Sequence, residues 1–334
     1  MSQLLAKLPR PFFALAPMDD VTDSVFRQVV ASTAAPDLFY TEFANVDGLQ
    51  SPGRAKLLKK LQFTPTEQPL IAQLWGKNPD NFYKTAREIA DGSLAKELGL
   101  LEGVNFAGID LNMGCPAKSE VQNGTCSALI KDRPLASAII KATRKGAGDL
   151  PLSVKTRLGF NEVDLTWHEF LLEHELDMLT IHGRTRKQMS KVPADWQKIG
   201  EVRELRDRLG KATLIVGNGD VLMRGQGREL AETYDLDGIM IGRGVFQDPF
   251  VFAQDSPWES YSREQRLDLF RRHVESFMDT WQHNERPLHT LNKFCKIYVN
   301  GFEGAKELRE AMMQATSGQD LLALIATAHQ AVTV

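Results

Sequence analysis

Four side chains with reactive chemistry stand where short apolar runs of this chain end: Cys115, Lys155, His182 and Arg243. Cys115 lies in Asn112-Met113-Gly114-Cys115-Pro116, and the flanking glycine and proline make a stiff loop that fixes a thiol in place. A fixed thiol can donate a proton or attack as a nucleophile, whereas a bare cysteine is an inert small apolar residue. Cys126 and Cys295 have no such setting and are expected to be inert. Lys155 interrupts the apolar run Leu152-Ser153-Val154-Lys155-Thr156-Arg157. An ammonium is costly to bury without an anion, so this lysine either stabilises negative charge on a reduced cofactor or forms a Schiff base. The plain alternative is a solvated strand end. His182 taken alone is equally a structural histidine.

Two glycine turns suggest an anion. Gly217-Asn218-Gly219-Asp220 and Gly242-Arg243-Gly244 both close apolar runs, and the second precedes an expected short helix at residues 245–251. Glycines let backbone N–H groups approach a phosphate, and a helix N-terminus favours negative charge. Arg243 adds a charge-assisted hydrogen bond. Ordinary tight turns would account for the glycines but not for the arginine.

These groups need a scaffold that gathers strand ends. Eight apolar runs occur, at residues 12–17, 38–43, 70–76, 108–114, 152–159, 178–184, 213–219 and 238–244. Continuous apolar runs are the mark of parallel strands buried on both faces. Amphipathic stretches at 24–31, 80–98, 134–145, 163–173, 196–209 and 223–234 separate most of them, with a short basic link at 54–61. Eight strand–helix units in about 240 residues predict an α/β fold, a (β/α)8 TIM barrel. A doubly wound open sheet is the alternative, weakened by the lack of GxGxxG after the first strand. From Tyr261 onward strand runs cease, and helical periodicity takes over at 267–278, 305–316 and 320–332. The expected organisation is a catalytic barrel over residues 1–250 and a small C-terminal all-helical domain over 255–334.

A barrel places its chemistry at the C-terminal ends of its strands. Polar residues there include Asp19, Asp20, Glu42, Gln73, Asn112, Arg157, Arg184, Asn218 and Asp220, enough to surround a large polar ligand.

Composition excludes little. The formal charge is −3, with 43% hydrophobic and 25% charged residues in 334. Three widely spaced cysteines suggest neither a disulfide framework nor a metal site. Lys7, Pro9, Arg10 and Pro11 interrupt the apolar N-terminus, and no apolar run of about 20 residues could span a bilayer. A cytoplasmic protein with no membrane association and no obligatory protein partner is expected.

Taken in order, several segments resemble the tRNA-dihydrouridine synthase (Dus) family. They are Ala16-Pro17-Met18 with Val21-Thr22-Asp23, Thr41-Glu42-Phe43, Gln73-Leu74-Trp75-Gly76 and Gly108 to Pro116. Ser153 to Gly159, Ile181-His182-Gly183-Arg184-Thr185, Asn218-Gly219-Asp220 and Met240 to Gly244 follow. The resemblance covers about residues 12 to 250, and more loosely the helical region from Trp281.

It implies FMN in the barrel mouth, NADPH or NADH as reductant, and uridine in tRNA as substrate. By position, Pro17, Met18 and Asp19 would line the flavin and Gln73 would bond its ring. Lys155 and His182 would contact the flavin or its ribityl chain, while Asn218, Gly219, Asp220, Gly242 and Arg243 would hold its phosphate. Asn112, Arg157 and Arg184 would bind substrate. Cys115 would deliver a proton to C5 of uracil after hydride reaches C6; a thiol of ordinary pKa near 8.5 is mostly protonated at neutral pH and needs no activating base.

One segment departs from the family pattern. Many members carry Tyr-x-Gly-x-Ala-Asp-Trp where this chain has Ser190-Lys191-Val192-Pro193-Ala194-Asp195-Trp196. Positive charge for RNA is local, since residues 255–334 hold nine Lys/Arg against eleven Asp/Glu. Three basic groups stand out: Arg54, Lys56, Lys59 and Lys60; Arg184, Arg186, Lys187 and Lys191; and Arg286, Lys293 and Lys296, the last expected to dock tRNA. An FMN-dependent TIM-barrel reductase of a small molecule would share the phosphate turns and the lysine but would not need these groups. A degenerate barrel that only binds RNA would not need Cys115 and Lys155. A non-redox phosphate-sugar barrel would be colourless.

Overall fold

Each apolar run of the first 250 residues forms a strand with parallel neighbours, as burial on both faces demands. The structure, a computed structural model, describes residues 3–283 and 285–330. Its strands are β1 (Phe12–Leu15), β2 (Phe39–Tyr40), β3 (Ala44–Asn45), β4 (Leu70–Trp75), β5 (Gly108–Met113), β6 (Leu152–Arg157), β7 (Met178–His182), β8 (Leu214–Asn218) and β9 (Gly238–Ile241). They pair in the order β1-β9-β8-β7-β6-β5-β4-β2, with β3 against the far end of β4. A parallel bridge from Ala14 to Leu38, with Leu15 N–H donating to Leu38 O at 3.0 Å, joins the two ends of that order. An open sheet would leave both edges free; the structure is a (β/α)8 barrel.

The second barrel strand is the irregular one. In place of a continuous run over 38–43 there are two short pieces, β2 and β3. The interruption has a side-chain cause: Thr41 Oγ1 accepts from Gln73 N–H at 3.0 Å and donates to Glu42 O at 2.6 Å, so a side chain stands in for the ladder. Elsewhere, the expected 80–98 helix divides into Pro79–Ala90 and Ser93–Glu97 around Gly92, which has φ 78°. The expected 245–251 helix is a 3-10 turn that begins earlier, at Arg243–Phe246.

Period-two alternation assigns the side chains to two cores. Phe12, Ala14, Tyr40, Ile71, Met178, Val216 and Met240 fill the barrel interior, and Leu5, from the helix Gln3–Lys7, packs with them. Phe13, Leu15, Leu111, Val154 and Ile215 face the surrounding helices. Helices Arg263–Thr280, Asn292–Tyr298, Ala305–Met313 and Gly318–Gln330 make up the C-terminal region; residues 331–332 of the expected last helix lie outside the described residues. This region joins the outer core: Phe26, on the helix Ser24–Ala34, lies 4.7 Å ring to ring from Phe294 and 5.8 Å from His273. No helix among the described residues is long and apolar enough to cross a membrane.

Candidate active site

Inward-facing residues change from apolar to polar toward the C-terminal ends of the strands. The register sets Asp110 beside Ser153, Asn112 beside Lys155, Arg157 beside His182, and His182 beside Asn218. Asp110 is fully buried and accepts from Gln73 Nε2 at 2.7 Å and from Ser153 Oγ. Burial raises its pKa to about 6 despite those bonds and the nearby Lys155. Gln73 Oε1 in turn accepts from Asn112 Nδ2 at 3.1 Å. Lys155 stands above this layer, and among the described residues its ammonium has neither a hydrogen bond nor an ion pair. Burial, and then Arg157, lower its pKa to about 8, with Asp110 and Cys115 opposing.

A cavity of about 530 Å³ opens at this end of the barrel. Ten of the residues singled out in the sequence line it: Pro17, Met18, Lys155, His182, Arg184, Asn218, Gly219, Asp220, Gly242 and Arg243. Both glycine turns are sterically required. A methyl on Gly219 (φ 137°) would meet Ala194 Cβ at 2.7 Å, and one on Gly244 would meet Val221 O at 2.7 Å. Ser190, Leu222, Met240 and Gln247 also line the cavity. Sequence reasoning missed them as liners, although Ser190 opens the segment that departs from the family pattern.

The remaining candidates are off the cavity wall. Asp19 is exposed and ion-paired to Lys60. Gln73 belongs to the buried layer just described. Asn112 Oδ1 accepts from the N–H groups of Gly114 and Cys115 at 3.1 and 3.0 Å, shaping the thiol loop. Arg157, 6% exposed, donates to Gly114 O at 2.7 Å and to Thr185 O and Met189 O, tying that loop to the one after β7.

One side of the cavity is held by a charge network. Asp220 bonds Arg184, Arg243 Nη2 at 3.1 Å and Ala194 N–H at 2.9 Å. These bonds hold its carboxyl below its ordinary pKa against the opposing effect of burial. Its carboxylate therefore orients two arginines, and Arg243 remains 62% exposed at the rim. Arg184 Nη1 donates to His182 Nε2 at 3.1 Å. Burial and then four neighbouring cations push the His182 pKa far down, so its ring is neutral.

Cys115 is half-buried, and its neighbour is Cys126. The sequence reading of Cys126 as inert did not foresee this neighbour. Donation from the Cys126 thiol, more than any other contact, draws the Cys115 pKa down to about 7, while the Cys126 pKa is pushed up. Ser127 N–H donates to Cys115 O at 3.3 Å, fastening the two loop ends together. Cys126 itself is fully buried at φ 53°, a left-handed conformation that costs a non-glycine residue about 1–2 kcal/mol.

The basic groups are less free than the sequence suggests, because their acids are distant in sequence. Arg54 pairs with Glu88 and Glu97, and Lys60 with Asp19, Asp20 and Glu42. Arg286 is 4% exposed and pairs with Glu42, with Asp23 at 3.3 Å and with Asp20 at 3.7 Å; Lys293 donates to Asp20 O. Of the expected tRNA-docking group, Arg286 is thus an internal clasp between the helical region and the barrel mouth, whereas Lys293 and Lys296 are exposed. Lys56, Lys187, Lys191, Lys293 and Lys296 are the exposed lysines of these groups.

Residues 14–333 match the family model described as dihydrouridine synthase (Dus). Two curated relatives are each 44% identical over 323 residues, covering 96% of this chain and 94% of the relative. They are the probable tRNA-dihydrouridine synthase 2 of Bacillus subtilis (strain 168) and the probable tRNA-dihydrouridine synthase of Staphylococcus aureus (strain COL). The chain belongs to the dihydrouridine synthase family.

Proposed function

We propose that this chain reduces uridine in tRNA to 5,6-dihydrouridine, using FMN in the barrel-mouth cavity and NADPH or NADH as the reductant. The observation that carries this reading is an unpartnered ammonium, Lys155, on the strand next to the Cys115 loop at the edge of a glycine-turned cavity. The residues fit the group: the volume suits one cofactor, two turns require glycine, and Arg243 stands exposed at the rim. When bound, the flavin takes two electrons from the nicotinamide and supplies a hydride to C6 of uracil.

The protein's part is charge and protons. Lys155 would supply positive charge to stabilise a bound, reduced flavin. Arg243 and the turns at Asn218–Asp220 and Gly242–Gly244 take the phosphate, with Asp220 holding Arg243 in position. Asn112 fixes the backbone of Cys115, whose thiol protonates C5. Lys187 and Lys191, after β7, and Lys296 meet tRNA phosphates, and the helical region from about residue 255 flanks the mouth as the tRNA-facing unit.

The reading is tested by incubating purified protein with unmodified tRNA and NADPH. A yellow protein that forms dihydrouridine, measured by mass spectrometry of digested tRNA, is expected; a colourless protein that FMN cannot reconstitute removes the flavin from the account. Within it, Arg243→Ala loses one charge-assisted phosphate contact, about 1.5–3 kcal/mol. FMN should dissociate at least about tenfold more readily, read from recovery of free-flavin fluorescence on dilution, with the fold unchanged by circular dichroism.

A further inference from the structure

The two thiols at the barrel mouth have a chemistry that uridine reduction does not use. We propose that Cys115 and Cys126 form a reversible redox pair, in which a hydroperoxide oxidises Cys115 and Cys126 closes an intramolecular disulfide that masks the thiol. The consequence for catalysis rests on the proposed role of Cys115 as proton donor; the disulfide itself does not.

The geometry supplies each requirement. Residues 115 and 126 are the ends of one loop, fastened by the Ser127 N–H to Cys115 O bond at 3.3 Å and, on the other side, by Asn112 Oδ1 on Cys115 N–H. Cys126 opens the 3-10 turn Cys126–Lys131 in the left-handed conformation, directly before the residue whose N–H bonds Cys115 O. Cys115 is partly exposed to a small oxidant, whereas Cys126 is fully buried. A Cys115 pKa lowered to about 7 supplies thiolate at neutral pH, as peroxide attack requires. Cys295 is the contrast: it is buried, its Sγ donates to Leu291 O, and burial raises its pKa to about 11.

The steps balance. Cys115 sulfur attacks one oxygen of the hydroperoxide, the O–O bond breaks, and a sulfenic acid forms with release of hydroxide or alkoxide, which takes up a proton. Cys126 sulfur then displaces hydroxide from Cys115 sulfur, its own proton going to the departing oxygen as water. Two thiols lose two electrons and the peroxide gains them. A dithiol reductant reverses the change.

Tryptic mapping tests this on the full chain, because Lys118 lies between the two cysteines. The protein is treated with hydrogen peroxide at neutral pH, its remaining thiols are alkylated, and it is digested without reduction. The expected product joins peptide 97–118 to peptide 119–131, with Cys295 alkylated, and dithiothreitol separates the two. In Cys126→Ser, Cys115 should instead advance to the sulfinic acid, which dithiothreitol does not reverse. Cys115 oxidised beyond sulfenic acid in the wild-type chain while Cys126 is alkylated, or both thiols alkylated after treatment, overturns the proposal. Dihydrouridine formation measured on the same samples should fall with cross-linking and return on reduction. A cross-linked protein of undiminished activity would keep the disulfide and remove Cys115 from the mechanism.

Discussion

Cys115→Ala is expected to retain FMN and its reduction by NADPH, yet to form dihydrouridine about 10²–10⁴-fold more slowly, the usual share of a positioned acid. The separation follows from position: Cys115 is off the cavity wall, held by Asn112, and takes no part in the two glycine turns. Its loss leaves the cavity intact and removes only the proton for C5. Stopped-flow bleaching of the flavin by NADPH should match wild type, while single-turnover product formation from tRNA collapses. The same group sets a pH dependence. Only the thiol form donates, so its share is high below about 7 and falls as pH rises through that value. Single-turnover rates measured from about pH 6 to 9 should therefore decline on the alkaline side, roughly tenfold per unit once most of the thiol is ionised. Cys295→Ala should follow the wild-type profile. Undiminished turnover in Cys115→Ala would remove this thiol from the reaction.

How much of this was legible in the sequence depends on how local each signal is. The barrel was, because parallel strands announce themselves as apolar runs, and eight of them separated by amphipathic stretches leave few other architectures. The glycine turns were too: Gly219 and Gly244 are read from sequence, and the structure supplies the clashing atoms. Strand β2 was not, because the Thr41 side chain that breaks it bonds a residue 32 positions away. The proximity of Cys126 to Cys115 went unseen for a related reason. Its signal is a neighbour eleven residues earlier in an irregular loop, where no periodicity predicts contact. Charge was the least legible property. Lys60 and Arg286 look free in sequence because Asp19, Asp20, Asp23 and Glu42 lie on other elements. The helix Asn292–Tyr298, whose Phe294 packs on Phe26, escaped because its seven residues are too few to display a period.

Replacing Arg286 with alanine is expected to destabilise the protein by about 3–5 kcal/mol, the cost of leaving a buried charge without its partner. Arg286 is 4% exposed, and Glu42, fully buried, faces it. Burial raises the Glu42 pKa, with Arg286 and then Lys60 as the principal opposing influences, so without the guanidinium the carboxylate is left chiefly to Lys60 at 3.6 Å. Arg286 also lies 5.2 Å from the Trp281 ring, so packing is lost with the charge. Lys296→Ala, at an exposed position of the neighbouring helix, should change stability by less than about 0.5 kcal/mol. Chemical denaturation of the two variants makes the comparison. The clasp reaches the cavity as well: Glu42 Oε1 accepts from Asp20 N–H at 2.7 Å, and Asp20 is two residues from Met18 on the cavity wall. Arg286→Ala should therefore shed FMN more readily before any RNA is added. In Arg286→Met combined with Glu42→Gln, where neither charge remains, much of the lost stability should return, because the principal penalty was the uncompensated carboxylate. A surface that merely docks tRNA predicts the opposite pattern, wild-type stability and flavin content with weakened RNA binding. That outcome would restore Arg286 to the RNA surface and dissolve the clasp.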